Sequence, residues 1–98
     1  MKIEIEFSPV FVSVSRSQYL SIELGGSEAT VQGALHHLSR AYGERMRALL
    51  FERGKDSILP GLMVMVNDQI HTGVALNQKN VPLMEGDKVS LLYFVSGG

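Results

Sequence analysis

The sequence holds no cysteine and no tryptophan, and only three prolines among its 98 residues. Without cysteine there is no disulfide framework, no thiolate zinc or iron–sulfur site and no thiol nucleophile. Any sulfur this protein handles is therefore not held on a side-chain thiol. An excess of charge of one sign is missing too: nine basic and ten acidic side chains leave a formal charge of -1. A general nucleic-acid coat needs clustered positive charge to displace counterions, so nucleic acid is not an expected partner. Runs such as Leu62–Val66 fall far short of a membrane span, so no membrane partner is expected either. The opening MKIEIEF alternates charged and apolar residues and does not read as a secretory leader. A cytoplasmic location is the expectation that these absences leave.

The chain is 45% hydrophobic and 19% charged, a globular rather than a disordered balance, and its length fits a single domain, 1–98, with a thin core. Ile3, Ile5 and Phe7 alternate with Lys2, Glu4 and Glu6, which predicts a strand packed on a core from one side. Ser8-Pro9 bends or ends it, because proline cannot donate to a ladder. Val10 to Val14 reads as a continuation of the strand or as a loop that packs back. After the polar turn Ser15 to Gln18, Leu20, Ile22 and Leu24 define a second one-sided strand, plausible as the hairpin partner of the first.

Gly25-Gly26 stops that strand, and a helix follows. Thr30 is its candidate N-cap, with Ser27 as the alternative. Val31, Leu35, Leu38 and Tyr42 form one apolar stripe, with Ala34 and Ala41 beside it, and Gly43 is the expected stop. Glu44 to Arg53 predicts a shorter second helix around Met46, Leu49, Leu50 and Phe51. Gly54 to Pro60 reads as loop. Leu62–Val66 predicts a strand with little polar face. Asn67-Asp68 makes a turn into a short return strand, Gln69 to Thr72. Gly73 to Pro82 shows no periodicity. Glu85-Gly86-Asp87 turns into a last strand, Lys88 to Phe94, and Val95 to Gly98 reads as a flexible tail.

Other residue patterns have plainer readings beside the functional ones. His36-His37 are adjacent on a helix and so face different ways, and no third ligand sits at metal spacing. No metal site is expected, and one of the two histidines should edge the core while the other faces solvent. Arg40, Arg45, Arg47, Arg53 and Lys55 suggest a docking patch, but a solvated face with pairs four residues apart is the plainer account. Met63, Met65 and the Leu91 to Phe94 run would give an apolar strip on the sheet face away from the helix. Such strips mark interfaces; cover by Glu44 to Pro60, or by a second copy of the chain, is the competing account. No nucleophile–base–acid set, phosphate-binding glycine loop or carboxylate pair is present.

The end of the chain is the most specific feature. Pro82 to Gly98, PLMEGDKVSLLYFVSGG, resembles the C-terminus of the ubiquitin-like sulfur carriers of the MoaD/ThiS family in Gly86, Asp87, Val89, Leu92, Val95, Gly97 and Gly98. LPGLMVMVND is similar to that family's third strand, and ATVQGALHHL to the opening of its helix. The resemblance implies an α+β fold, the β-grasp. This is a mixed sheet of about five strands on one main helix, here with a short second helix, and its first and last strands run parallel at the centre. It implies a carrier rather than an enzyme. An E1-like adenylating enzyme would use ATP to activate the Gly98 carboxylate, which is then converted to a thiocarboxylate. Val95, Ser96 and Gly97 would thread that partner's tunnel, and Leu92 and Phe94 would dock its body. The chain itself would bind no cofactor. The acceptor would be the molybdopterin synthase large subunit or another sulfur acceptor. The length of Glu44 to Pro60 favours the molybdopterin branch, where the chain would act as the small subunit of molybdopterin synthase. Tyr93-Phe94 departs from the proline pair common there and leaves the tail without a fixed φ. The rival readings are a ubiquitin-like modifier conjugated through Gly98, a carrier for thiamine or tRNA thiolation, and a binding module with a frayed end.

Overall fold

The computed structural model describes residues 1–93. The first strand, β1 (Lys2–Phe7), buries Ile3, Ile5 and Phe7 and turns Lys2, Glu4 and Glu6 to the other face. Its antiparallel neighbour β2 (Tyr19–Glu23) pairs Ile3 with Ile22 and Ile5 with Leu20, so the two apolar faces coincide. With β3 (Leu62–Val66), β4 (Gln69–Thr72) and β5 (Lys88–Tyr93) they form one sheet in the order β2-β1-β5-β3-β4. β1 and β5 run parallel and every other pair is antiparallel. β5 therefore lies at the centre with a neighbour on each side.

Between β1 and β2 the chain forms a helix, α1 (Pro9–Ser15), and neither a longer strand nor a loop. Valine-rich sequence has low helix propensity, so packing decides here. Pro9 supplies a pre-set φ in the first turn, where its missing N–H costs nothing. The helical turn then brings Phe11 and Ser15, four residues apart, onto the buried side.

The main helix, α2 (Val31–Tyr42), starts where Thr30 Oγ1 accepts from Gly33 N at 3.0 Å, and buries Val31, Ala34, Leu35 and Leu38 against the sheet. Tyr42 packs half-buried at the edge of that stripe, while Ala41 is exposed and does not belong to it. Gly43, at φ 85°, breaks the helix before α3 (Glu44–Leu50), a backbone angle that disfavours any side chain. α3 ends sooner than the sequence suggests. Phe51 is extended and bridges Ile58, so its ring enters the core and the chain reverses tightly between them. Met46, Leu50, Phe51 and Ile58 join the same core as the β1 and β5 side chains.

Gly73 to Pro82 is ordered by hydrogen bonds rather than by periodicity. A fourth helix, α4 (Gly73–Leu76), is capped by Thr72 Oγ1, which accepts from Ala75 N. The side chain of Asn77 grips Ile58 from both sides: its Oδ1 accepts from Ile58 N at 2.7 Å and its Nδ2 donates to Ile58 O at 2.9 Å. Gln32 on α2 donates to the carbonyls of Leu76 and Lys79 and accepts from Val81 N. The expected pair of helices is thus joined by two more, α1 and α4.

Backbone crowding at Gly73 makes a clear prediction. A Cβ there would sit 1.9 Å from the Leu59 carbonyl oxygen. Gly73→Ala should therefore destabilise the domain by about 1–3 kcal/mol or more, read as a lower urea midpoint. Loss of the Thr30 cap in Thr30→Ala should cost only about 1 kcal/mol.

Candidate functional site

The pleat of β5 sends Val89 and Leu91 into the core and Lys88, Ser90 and Leu92 to the face opposite the helices. On β3, Met63 and Met65 share that open face, because Met63 pairs with Leu92 and Met65 with Ser90. β4 adds Ile70, which pairs with Met65 and is 55% exposed. Met63, Met65, Ile70 and Leu92 therefore form one apolar patch that reaches the end of β5. Leu91 and Tyr93 do not belong to it, since they point to the helix side. Cover by residues 44–60 is also ruled out, because Met46, Leu50, Phe51 and Ile58 pack into the core beneath the opposite face.

The β1 half of the open face is polar. Glu6 accepts from the Ser90 hydroxyl at 3.1 Å and pairs with Lys88 at 3.3 Å. Ser21 donates to Glu4 at 2.8 Å. The Ser90 hydrogen bond, and then Lys88, hold the Glu6 carboxyl below its ordinary value. Any stability from this exposed network is present where Glu6 is ionised and is lost as pH falls through that lowered value.

The root of the last five residues lies beside the patch. Pro9, Val10, Ser8, Leu92 and Tyr93 line a hollow of about 380 Å³, and Val10 is 42% exposed. Phe94, Val95, Ser96, Gly97 and Gly98 lie outside the described residues, so the roles expected for them, and for a flexible tail, rest on sequence.

His36, Arg40 and Arg47 make structural contacts. His36 stacks on Phe51 with centroids 4.6 Å apart, and His37 is half-buried rather than in solvent. Among the described residues no three histidine or acidic side chains gather in an arrangement that could hold a metal ion. Arg40 pairs with Glu28, and Arg47 pairs with Asp56 at 3.3 Å while lying 5.1 Å over the Phe51 ring. Both ion-pair partners come from other segments rather than from one helical turn away, and Gly43 interrupts the helix between Arg40 and Glu44. Among the described residues no helix is long and apolar enough to cross a membrane.

Sequence reading missed Ile70 and Val10. For Ile70 a signal existed: the two-residue turn Asn67-Asp68 pairs Val66 with Gln69 and hence Met65 with Ile70. For Val10 the signal was Pro9, read only as a strand breaker.

A mixed sheet with a parallel central pair, crossed by α2 on one face and open on the other, defines a ubiquitin-like protein with the β-grasp fold. The chain belongs to the ThiS family, whose model matches residues 17–98. That family comprises small ubiquitin-like sulfur carriers and modifiers. Among solved structures, it is similar to the HVO 2177 protein of Haloferax volcanii, with 26% identity, a TM-score of 0.76, and coverage of 100% of this chain and 87% of that one. It is also similar to SAMP1 of Haloferax volcanii, with 21% identity, a TM-score of 0.74 and coverage of 100% of both chains. A Pyrococcus furiosus protein assigned as molybdopterin converting factor, subunit 1, shows 17% identity and a TM-score of 0.67, over 97% of this chain and 99% of that one. No curated protein matches the sequence.

Proposed function

We propose that this protein is a sulfur carrier activated at the α-carboxylate of Gly98, and that it supplies sulfur for the dithiolene of a molybdenum or tungsten cofactor. The observation that carries the reading is the apolar patch at the end of β5 on a ThiS-family β-grasp body whose sequence runs on to Gly97-Gly98. An E1-like partner would dock on Met63, Met65, Ile70 and Leu92 and receive the five residues that follow Tyr93. A Gly98 carboxylate oxygen attacks the α-phosphorus of ATP. The new acyl–phosphate bond forms as the bond to the β-phosphate breaks, and pyrophosphate leaves. Hydrosulfide then adds to the acyl carbon, the carbon–oxygen bond to AMP breaks, the S–H proton passes to solvent, and a thiocarboxylate remains. Carboxylate oxygen is a poor leaving group and AMP a good one, which is why activation comes first. The glycine pair suits a narrow channel because it carries no Cβ. The chain provides the carried atom and the docking surface, and catalysis belongs to its partners.

Support for the molybdopterin branch is the family resemblance in Pro82 to Gly98, the length of residues 44–60 and the likeness to the Pyrococcus protein. A second reading, conjugation of Gly98 to lysines of other proteins, is favoured by the likeness to SAMP1, a small archaeal modifier protein. Both readings share the first step. Its test is ATP–pyrophosphate exchange with an E1-like enzyme from the same host. Exchange that depends on this protein is expected, and none would contradict both readings.

A further inference from the structure

Among the described residues Tyr93 is the last rung of β5, paired with Leu62. On the β1 side the ladder ends sooner: Phe7 pairs with Leu91, Ser8 N donates to Leu91 O at 3.2 Å, and the chain then turns into α1 at Pro9, which has no N–H to give. Beyond Leu91, among the described residues, β5 keeps only β3 as a backbone neighbour, through Met63 with Leu92 and Leu62 with Tyr93. A strand end paired on one edge frays easily.

The Tyr93 side chain makes up for that loss from two directions. Its ring stacks on Phe11 of α1, with centroids 5.2 Å apart and planes 2° apart. Its hydroxyl donates to the main-chain carbonyl of Leu49. Leu49 lies in the last turn of α3, where carbonyls have no intrahelical partner. Burial raises the hydroxyl's pKa to about 12, so it remains a donor at any physiological pH. One residue is thus fixed by β3 through the backbone, by α1 through stacking and by α3 through a hydrogen bond.

We infer that Tyr93 is a positioning residue for activation of Gly98: it fixes the point from which residues 94–98 continue. This inference rests on the carrier reading above. Five extended residues span at most ~18 Å, so the point of departure decides which volume the carboxylate can search. If the root is released, the body still docks through Met63, Met65 and Ile70. The carboxylate is then ordered only on the way to the transition state, and the loss falls on kcat rather than KM.

The test compares wild type, Tyr93→Phe and Tyr93→Ala in steady-state adenylation by the E1-like partner. Each variant is first shown to be folded by circular dichroism. Tyr93→Ala is expected to lower kcat about tenfold with KM nearly unchanged, and Tyr93→Phe, which keeps the stack, to recover most of the rate. Amide exchange at Leu92 and Tyr93 of the free protein should quicken in Tyr93→Ala. Should that variant not fold, Phe11→Leu and Tyr93→Phe, each removing one hold, carry the same comparison. Normal kcat in folded Tyr93→Ala, or in Phe11→Leu where it stands in, beside an active wild type overturns the inference and leaves the carrier reading intact. An inactive wild type overturns the carrier reading and the inference with it.

Discussion

A short tag appended after Gly98 is expected to abolish ATP-dependent activation while leaving the melting temperature unchanged. The first step requires an ionised carboxylate oxygen on Gly98. Extension turns that group into a peptide carbonyl, which cannot attack the α-phosphorus. The tag's own carboxylate is no substitute. It lies farther from the docked body than the ~18 Å that five residues can reach, and it follows side chains wider than glycine. The fold should be unaffected because, among the described residues, the core's last members are Leu91 and the partly buried Tyr93, upstream of the change. Proteolytic removal of the tag back to Gly98 should restore the rate. A tagged protein adenylated at the normal rate would contradict the carrier reading.

Two neighbouring leucines should respond in opposite ways. Leu91 is wholly buried at the centre of the sheet, so Leu91→Ala should cost about 2–5 kcal/mol. That is a large share of the roughly 5–15 kcal/mol by which a small domain is stable, and a denaturant melt will show it. Leu92 points to the open face beside Met63. Leu92→Glu should leave the melt nearly unchanged and weaken binding of the adenylating partner by about thirtyfold or more, as a charge in the centre of an apolar interface does. Unfolding by Leu92→Glu, or undiminished binding, would place the docking surface elsewhere.

Most of the fold can be read from residue spacing, because one-sided burial imposes a period on the sequence. Ile3, Ile5 and Phe7 and the stripe from Val31 to Tyr42 carry that period, Leu62 to Val66 is legible as a short unbroken apolar run, and each element forms where its signal places it. α1 is illegible for the opposite reason. Its valines favour a strand locally, and burial of Phe11 against Phe7 and against Tyr93, far along the chain, rewards a helix. Residues 73–82 carry no period because Gln32 holds their backbone and Asn77 ties them to the backbone of Ile58, and a hydrogen-bond clamp leaves no hydrophobic pattern. The site was half legible. Alternation along β5 and β3 places Leu92 beside Met63, but the anchoring of Tyr93 depends on where a free carbonyl of α3 lies, which no local pattern encodes. The basic residues around α3 misled in the same way, since the ion-pair partners of Arg40 and Arg47 lie in other segments.

The most direct measurement is the intact mass of the protein purified untagged from its own host, with and without the gene for its E1-like partner. The account predicts a species heavier by the exchange of one oxygen for sulfur, mapped to Gly98 by fragmentation and absent when the partner is deleted. A population made up only of unmodified chain and larger conjugates joined through Gly98 would contradict it and identify a modifier.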